Sequence, residues 1–142
     1  MASALDVAKY FLNRADESDE LLSHLKLQKL LYYSQGFKLA IVGPTLFDEE
    51  ILAWEHGPVV REVWNEYRDH GGGGIPAPGE VVVFEPTDQE VMDEVWTVFG
   101  QFSAWRLREM THDTPPWANA QRNAVIPLEG MRDYFRTQVT EA

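Results

Sequence analysis

The amino-acid sequence predicts a mainly helical α+β fold: a single domain of about six helices around one long central helix, with a small two-stranded antiparallel sheet. Three observations predict it. Residues 25–42 are apolar on two sides, with Leu27, Leu30, Leu31, Ser34 and Ile41 on one stripe and Tyr33, Gly36 and Ala40 on another. A helix apolar on two sides lies at the centre of its fold. N-capping residues and prolines recur ahead of further apolar-periodic stretches. Only two short segments, Ile51 to Trp54 and Val81-Val82-Val83-Phe84, have strand composition, so they are expected to pair with each other.

Each element follows from local signals. Leu5, Ala8, Tyr10, Phe11 and Leu12 predict a first helix ending before the acidic stretch 16–20. Ser23 is the expected N-cap of the long helix, and Gly43-Pro44 its stop. Gly57-Pro58 predicts the next helix start, with Pro58 pre-set for the first helical position and Val60, Val63, Trp64 and Tyr67 facing inward. Gly71-Gly72-Gly73-Gly74-Ile75-Pro76-Ala77-Pro78-Gly79 continues no helix and is expected to be a mobile loop over 71–79. Thr87 with Glu90 has the spacing of a capping box, leading into Val91, Val95, Val98 and Phe99. Ser103 starts a shorter helix to about Met110. Pro116 and Pro127 each fit the start of a further helix, the last carrying Met131, Tyr134 and Phe135.

With 142 residues, the whole span 1–142 is expected to be one domain, since chains of about 100–200 residues usually fold as one. The sequence has no cysteine, which excludes a disulfide framework and a thiol nucleophile. Lys26, Gln28, Lys29, Gln35 and Lys38 interrupt the most apolar run, so a membrane span is not expected. No basic start followed by an apolar stretch and a cleavage site is present, which predicts a cytoplasmic protein. The net charge of −11, from 12 Lys+Arg against 23 Asp+Glu, opposes broad contact with nucleic acid.

No active site is specified by spacing. His24, His56, His70 and His112 do not share a helix at metal-ligand spacing, and no cofactor or metal is expected. His112-Asp113 has the form of a general base with its orienter, but Thr111, His112 and Asp113 also suit the end of a helix, which is the simpler reading. The glycine run lacks the Lys-Ser/Thr of a phosphate loop. The acidic clusters lack calcium-loop spacing and read as solvated faces. What stands out is the aromatic content, 12% with five Trp. After Thr87, the stripe Val91, Val95, Val98 and Phe102 serves as a core face and leaves Met92, Trp96 and Phe99 beside it. Trp105 falls with Arg108 rather than with Leu107 and Met110. Trp, Met and Arg are enriched at protein interfaces, so Trp96, Trp105 and Arg108 are the candidate binding residues.

Several stretches together resemble the Panacea antitoxin domain family, the SocA-type antitoxins of type II toxin–antitoxin systems. They are Leu25-Lys26-Leu27-Gln28-Lys29-Leu30-Leu31-Tyr32-Tyr33, Leu46-Phe47, Ala53-Trp54, His56-Gly57-Pro58-Val59, Leu107-Arg108-Glu109-Met110-Thr111-His112, Pro116-Trp117, and the closing Ile126-Pro127 and Tyr134-Phe135. The resemblance runs from about Leu5 to Phe135. It implies a mostly helical, non-enzymatic antitoxin that neutralises a co-encoded toxin by direct contact, and it carries over no catalytic residues. An acidic antitoxin suits a toxin with a basic surface. Two other classes are distinguishable. A small hydrolase or transferase would centre on His112-Asp113, and a DNA-binding autorepressor would need a basic patch from Lys26, Lys29, Lys38, Arg61 and Arg68.

Overall fold

The computed structural model describes residues 2–139. Helix α1 (Ala4–Glu17) opens on a capping box. Ser3 Oγ accepts from the Asp6 N–H, and Asp6 returns the bond to the Ser3 N–H, both at 3.1 Å. The helix continues two residues into the stretch expected to end it, and Asp19 takes positive φ in the turn that follows. A two-residue strand β1 (Leu22–Ser23) leads into α2 (His24–Ile41), capped by Ser23 as expected and ending just ahead of Gly43-Pro44. Then come β2 (Ile51–Trp54), β3 (Gly57–Val60), α3 (Arg61–Tyr67), a single 3-10 turn (Arg68–His70), and β4 (Gly74–Ile75). The remaining helices are α4 (Pro86–Phe99), α5 (Ala104–His112), α6 (Pro115–Ala118) and α7 (Leu128–Arg136). The architecture is α+β and mainly helical, with seven α-helices and two small antiparallel sheets among the described residues.

Helix α2 is the axis of the core, packed by α1, α4, α5 and α7. Leu27, Leu30, Leu31 and Tyr32 are fully buried on it. So many of its faces are covered that its polar side chains are buried too, and each needs a partner. Gln35 Oε1 accepts from the Leu46 N–H at 2.7 Å while its Nε2 donates to the Phe47 carbonyl at 2.8 Å, which fixes the loop after α2. Lys38 pairs with Asp88 at 2.6 Å and Lys26 with Glu20 at 3.0 Å, tying α2 to α4 and to the end of the α1 turn. The amide of Gln28 serves β3 in the same way: its Oε1 accepts from the Val60 N–H at 2.9 Å. That orientation leaves Gln28 Nε2 as a donor, so His24 Nε2, 3.0 Å away, must be an acceptor and its ring neutral.

Burial, aided by repulsion from His70 and Lys29, pushes the His24 pKa down from 6.5 to about 4. The unfolded chain therefore takes up a proton that the native state refuses. His24 contributes its stability above about pH 6.5, and that contribution should be lost as pH falls towards 4, by about 3 kcal/mol. Denaturant midpoints across this range should decline in the parent protein and flatten in His24→Gln. An identical slope in both would assign the effect elsewhere.

The strand pairing differs from expectation. Strand β2 pairs with β3 in a hairpin, Ile51 opposite Val60 and Trp54 opposite Gly57, and not with residues 81–84. Closing a two-residue turn costs far less chain entropy than closing a loop of nearly thirty residues. Gly57 has a φ of +126°, which a side chain would resist, so Gly57-Pro58 begins a strand and the helix waits until Arg61. The other edge of β2 is covered by residues 123–126. Ala53 N–H donates to the Ala124 carbonyl at 2.8 Å, and Ile126 N–H to the Ile51 carbonyl at 2.8 Å.

The glycine-rich loop is also pinned, at residues 74–75 and at Gly79, whose N–H donates to Asn13. Gly74 and Ile75 pair with Ser23 and Leu22, and Ile75 is buried. Residues 81–84 remain outside any sheet. Helix α4 begins at Pro86 rather than through a Thr87–Glu90 box, with Glu85 at the N-cap and no side-chain cap bond. Its core stripe is rotated from the expected one. Met92 is buried with Val91 and Val95, whereas Val98 is exposed.

Candidate interaction site

Helix α5 presents the residues in question. Ser103 caps it, accepting from the Arg106 N–H at 3.1 Å. Leu107 and Thr111 then turn into the core, and the opposite side carries Trp105. Trp105 is 63% exposed. The Arg108 guanidinium sits 4.9 Å from its ring centroid, the contact that a spacing of three on a helix allows. Arg108 is half-buried, and its Nε has no hydrogen-bond partner among the described residues. An exposed indole stacked by an arginine is a preassembled pair of the side chains that anchor protein interfaces.

Trp96 is placed differently. It is partly buried against the core, 6.4 Å from the Phe11 ring, with Lys26 Nζ 5.9 Å from its own. Gly100 is required beside it, since a Cβ there would come within 2.8 Å of the Trp96 ring. No ring contact joins Trp96 to Trp105 among the described residues.

The end of α5 meets the β2–β3 turn. The His112 ring lies flat on Trp117, with centroids 4.0 Å apart and planes 3° from parallel, and Arg122 sits 3.8 Å from the same indole. Trp117 Nε1 donates to the Trp54 carbonyl at 2.8 Å. Lys29, fully buried on α2, donates to the His56 carbonyl. Its ammonium occupies the space a side chain at Gly57 would need, since a Cβ there would lie 2.7 Å from Nζ. Tyr32 and Thr114 share a hydrogen bond at 2.8 Å, and Thr114 Oγ1 donates to the Thr111 carbonyl at 2.6 Å. His56-Gly57, Thr111-His112 and Pro116-Trp117, distant in sequence, thus converge on one corner.

That corner is cationic in an otherwise acidic chain. Burial, with Arg108 adding repulsion, pushes Lys29 down to about 7. Burial and then Arg108, Lys29 and Arg122 lower His112. His112 and Asp113 share no hydrogen bond among the described residues, and Asp113 is an exposed helix C-cap. The geometry is that of a helix terminus locked by stacking, not of a base held by its carboxylate. The DNA-binding reading loses three of its five candidates. Lys26, Lys29 and Lys38 are buried, two of them in ion pairs, which leaves Arg61 and Arg68 exposed. Among the described residues no group of His, Asp and Glu is placed to hold a metal ion, and no helix is long and apolar enough to cross a membrane.

Sequence spacing on α5 finds Trp105 and Arg108, but it misses Trp54, Trp117 and Arg122. Those come from separate segments, so no periodicity marks them. Trp54 and Trp117 are signalled in advance by the family motifs, and Arg122 by nothing.

The helical core is thus tied together through the polar side chains of α2, and an arginine-stacked indole lies outside it. Residues 27–118 match the family of SocA-like antitoxins with a Panacea domain, and the chain belongs to that family. It is 30% identical over 124 residues to Antitoxin SocA of Caulobacter vibrioides (strain NA1000 / CB15N), an alignment covering 78% of this chain and 66% of that protein. No solved structure matches the chain.

Proposed function

We propose that this protein is an antitoxin that neutralises a toxin encoded beside it by forming a stable complex, and that it acts without catalysis of its own. Membership of the SocA-like family supports the antitoxin role. The observation that carries direct binding is the exposed Trp105 with Arg108 stacked on it. An exposed indole with an arginine already stacked on it has the composition of an interface anchor, which a partner would cover. Trp105 and Arg108 are the proposed anchors, and Trp96, packed on Phe11 of α1, is assigned to the core rather than to the contact. A net charge of −11 would steer the domain onto a toxin with a basic surface. Co-expression with the adjacent toxin should restore growth, and the two proteins should co-purify. Rescue without any complex would reject direct binding and point to control of the toxin's gene or message.

A further inference from the structure

We propose that residues 80–85 form a strand-addition site, an edge that accepts an extended, basic stretch of a partner protein. The sequence of this segment is that of a strand, and the chain adopts a strand's alternation there. Phe84 is buried and Val82 partly buried, while Val81 and Val83 are 87% and 90% exposed. The segment is held in place from within. Phe84 packs edge-on to Tyr10 at 5.9 Å, Asn13 accepts from the Gly79 N–H and donates to the Glu80 carbonyl, and Lys9 pairs with Glu80 at 2.8 Å. Between these anchors, the backbone N–H and C=O groups of residues 81–84 bond to no group among the described residues.

The second edge of β2 is covered by residues 123–126, yet this strand-forming run is left open. Native proteins usually guard such edges with Lys or Pro. Neither occurs within residues 80–85, and the outward side chains are valines. An unpaired, anchored, extended backbone is complementary to another extended backbone, which would supply main-chain bonds and cover Val81 and Val83.

Charge selects the occupant. A cleft of about 550 Å³ runs beside the segment, lined by Asp6, Glu85 and Asp88 together with residues 82–84. Asp88 is neutralised by Lys38 and Asp6 is used by the Ser3 N–H, but Glu85 has no ion pair among the described residues. A Lys or Arg flanking the incoming strand would meet it. A second copy of this chain fits poorly. It brings no cation to Glu85, since residues 78–88 contain no Lys or Arg. The surface is separate from Trp105 and Arg108, and the inference does not rest on the toxin reading.

The test uses the full chain and a synthetic peptide of alternating Val and Thr with Lys at both ends. Hydrogen exchange should show the amides of residues 81–84 unprotected in the free protein and slowed about tenfold or more by saturating peptide. Val81→Lys combined with Val83→Lys should weaken peptide binding about tenfold while leaving the melting temperature unchanged, because both side chains are in solvent. Three results would overturn the proposal: no added protection at these amides; equal binding by a control peptide with Pro in place of Thr, which would show charge attraction alone; or protection that rises with protein concentration without peptide, which would make a second copy the occupant. Each of these would leave the antitoxin reading standing, since co-purification tests that separately.

Discussion

Replacing Phe135 by alanine should destabilise the free protein by about 3–5 kcal/mol, the range for emptying a fully buried aromatic site. Phe135 is the element that docks α7 onto α2. Its ring meets Phe37 at 4.9 Å, Tyr32 at 5.4 Å and Tyr33 at 5.9 Å, all edge to face. It also lies against Gly36 so closely that a Cβ there would stand 2.3 Å from the ring. The cavity left by alanine would be walled by the rigid backbone of α2 and by rings with their own partners, so little collapse is available. Chemical denaturation of the variant, followed by circular dichroism, gives the number directly. A loss below about 1 kcal/mol would show that α7 contributes little to the fold.

Trp105→Ala should do the reverse, weakening toxin binding while sparing the free protein. Truncating an aromatic anchor typically costs at least about 2 kcal/mol of binding, some thirtyfold in affinity. The melting temperature of the free domain should barely move, because at 63% exposure the ring adds little to the core. Trp96→Ala is the matched control. Its contacts with Phe11 and Lys26 predict lost stability, with affinity retained in the folded fraction. If Trp105→Ala destabilised the free protein and left affinity unaltered, the α5 face would not be the binding surface.

The legible parts of this fold are those written in consecutive residues. Ser23 and Ser103 cap the helices they were expected to cap, Gly43-Pro44 follows the end of α2, and Pro127 precedes α7. These signals act within one turn of chain, so at these positions they need no distant partner. Gly36 lies on one of the two predicted apolar stripes, although the sequence could not say that Phe135 would fill the space beside it. The candidate site divides in the same way. The Trp105–Arg108 pair follows from helical spacing alone, whereas the stack of His112, Trp117 and Arg122 joins three segments and leaves no trace in periodicity.

Two local signals failed, the helix start at Gly57-Pro58 and the Thr87–Glu90 box; the other failures depended on a distant partner. Residues 81–84 have strand composition, but β2 had a nearer partner in β3 and a second in residues 123–126. Met92 and Val98 exchanged roles on α4 because a helix stripe shows which residues align, not which neighbour they will face. Lys26, Lys29 and Lys38, candidates for the basic patch a DNA-binding protein would need, are buried tethers, since α2 is enclosed on almost every side. By itself, then, the sequence determined most of the helices, the caps at Ser23 and Ser103, the central place of α2 and the family motifs, because local backbone preference and binary pattern are carried by neighbouring residues. The tertiary structure alone decided strand pairing, the burial of the lysines and the corner where the motifs meet. Those outcomes turn on which segments compete for the same partner, and that competition is settled only when the chain packs.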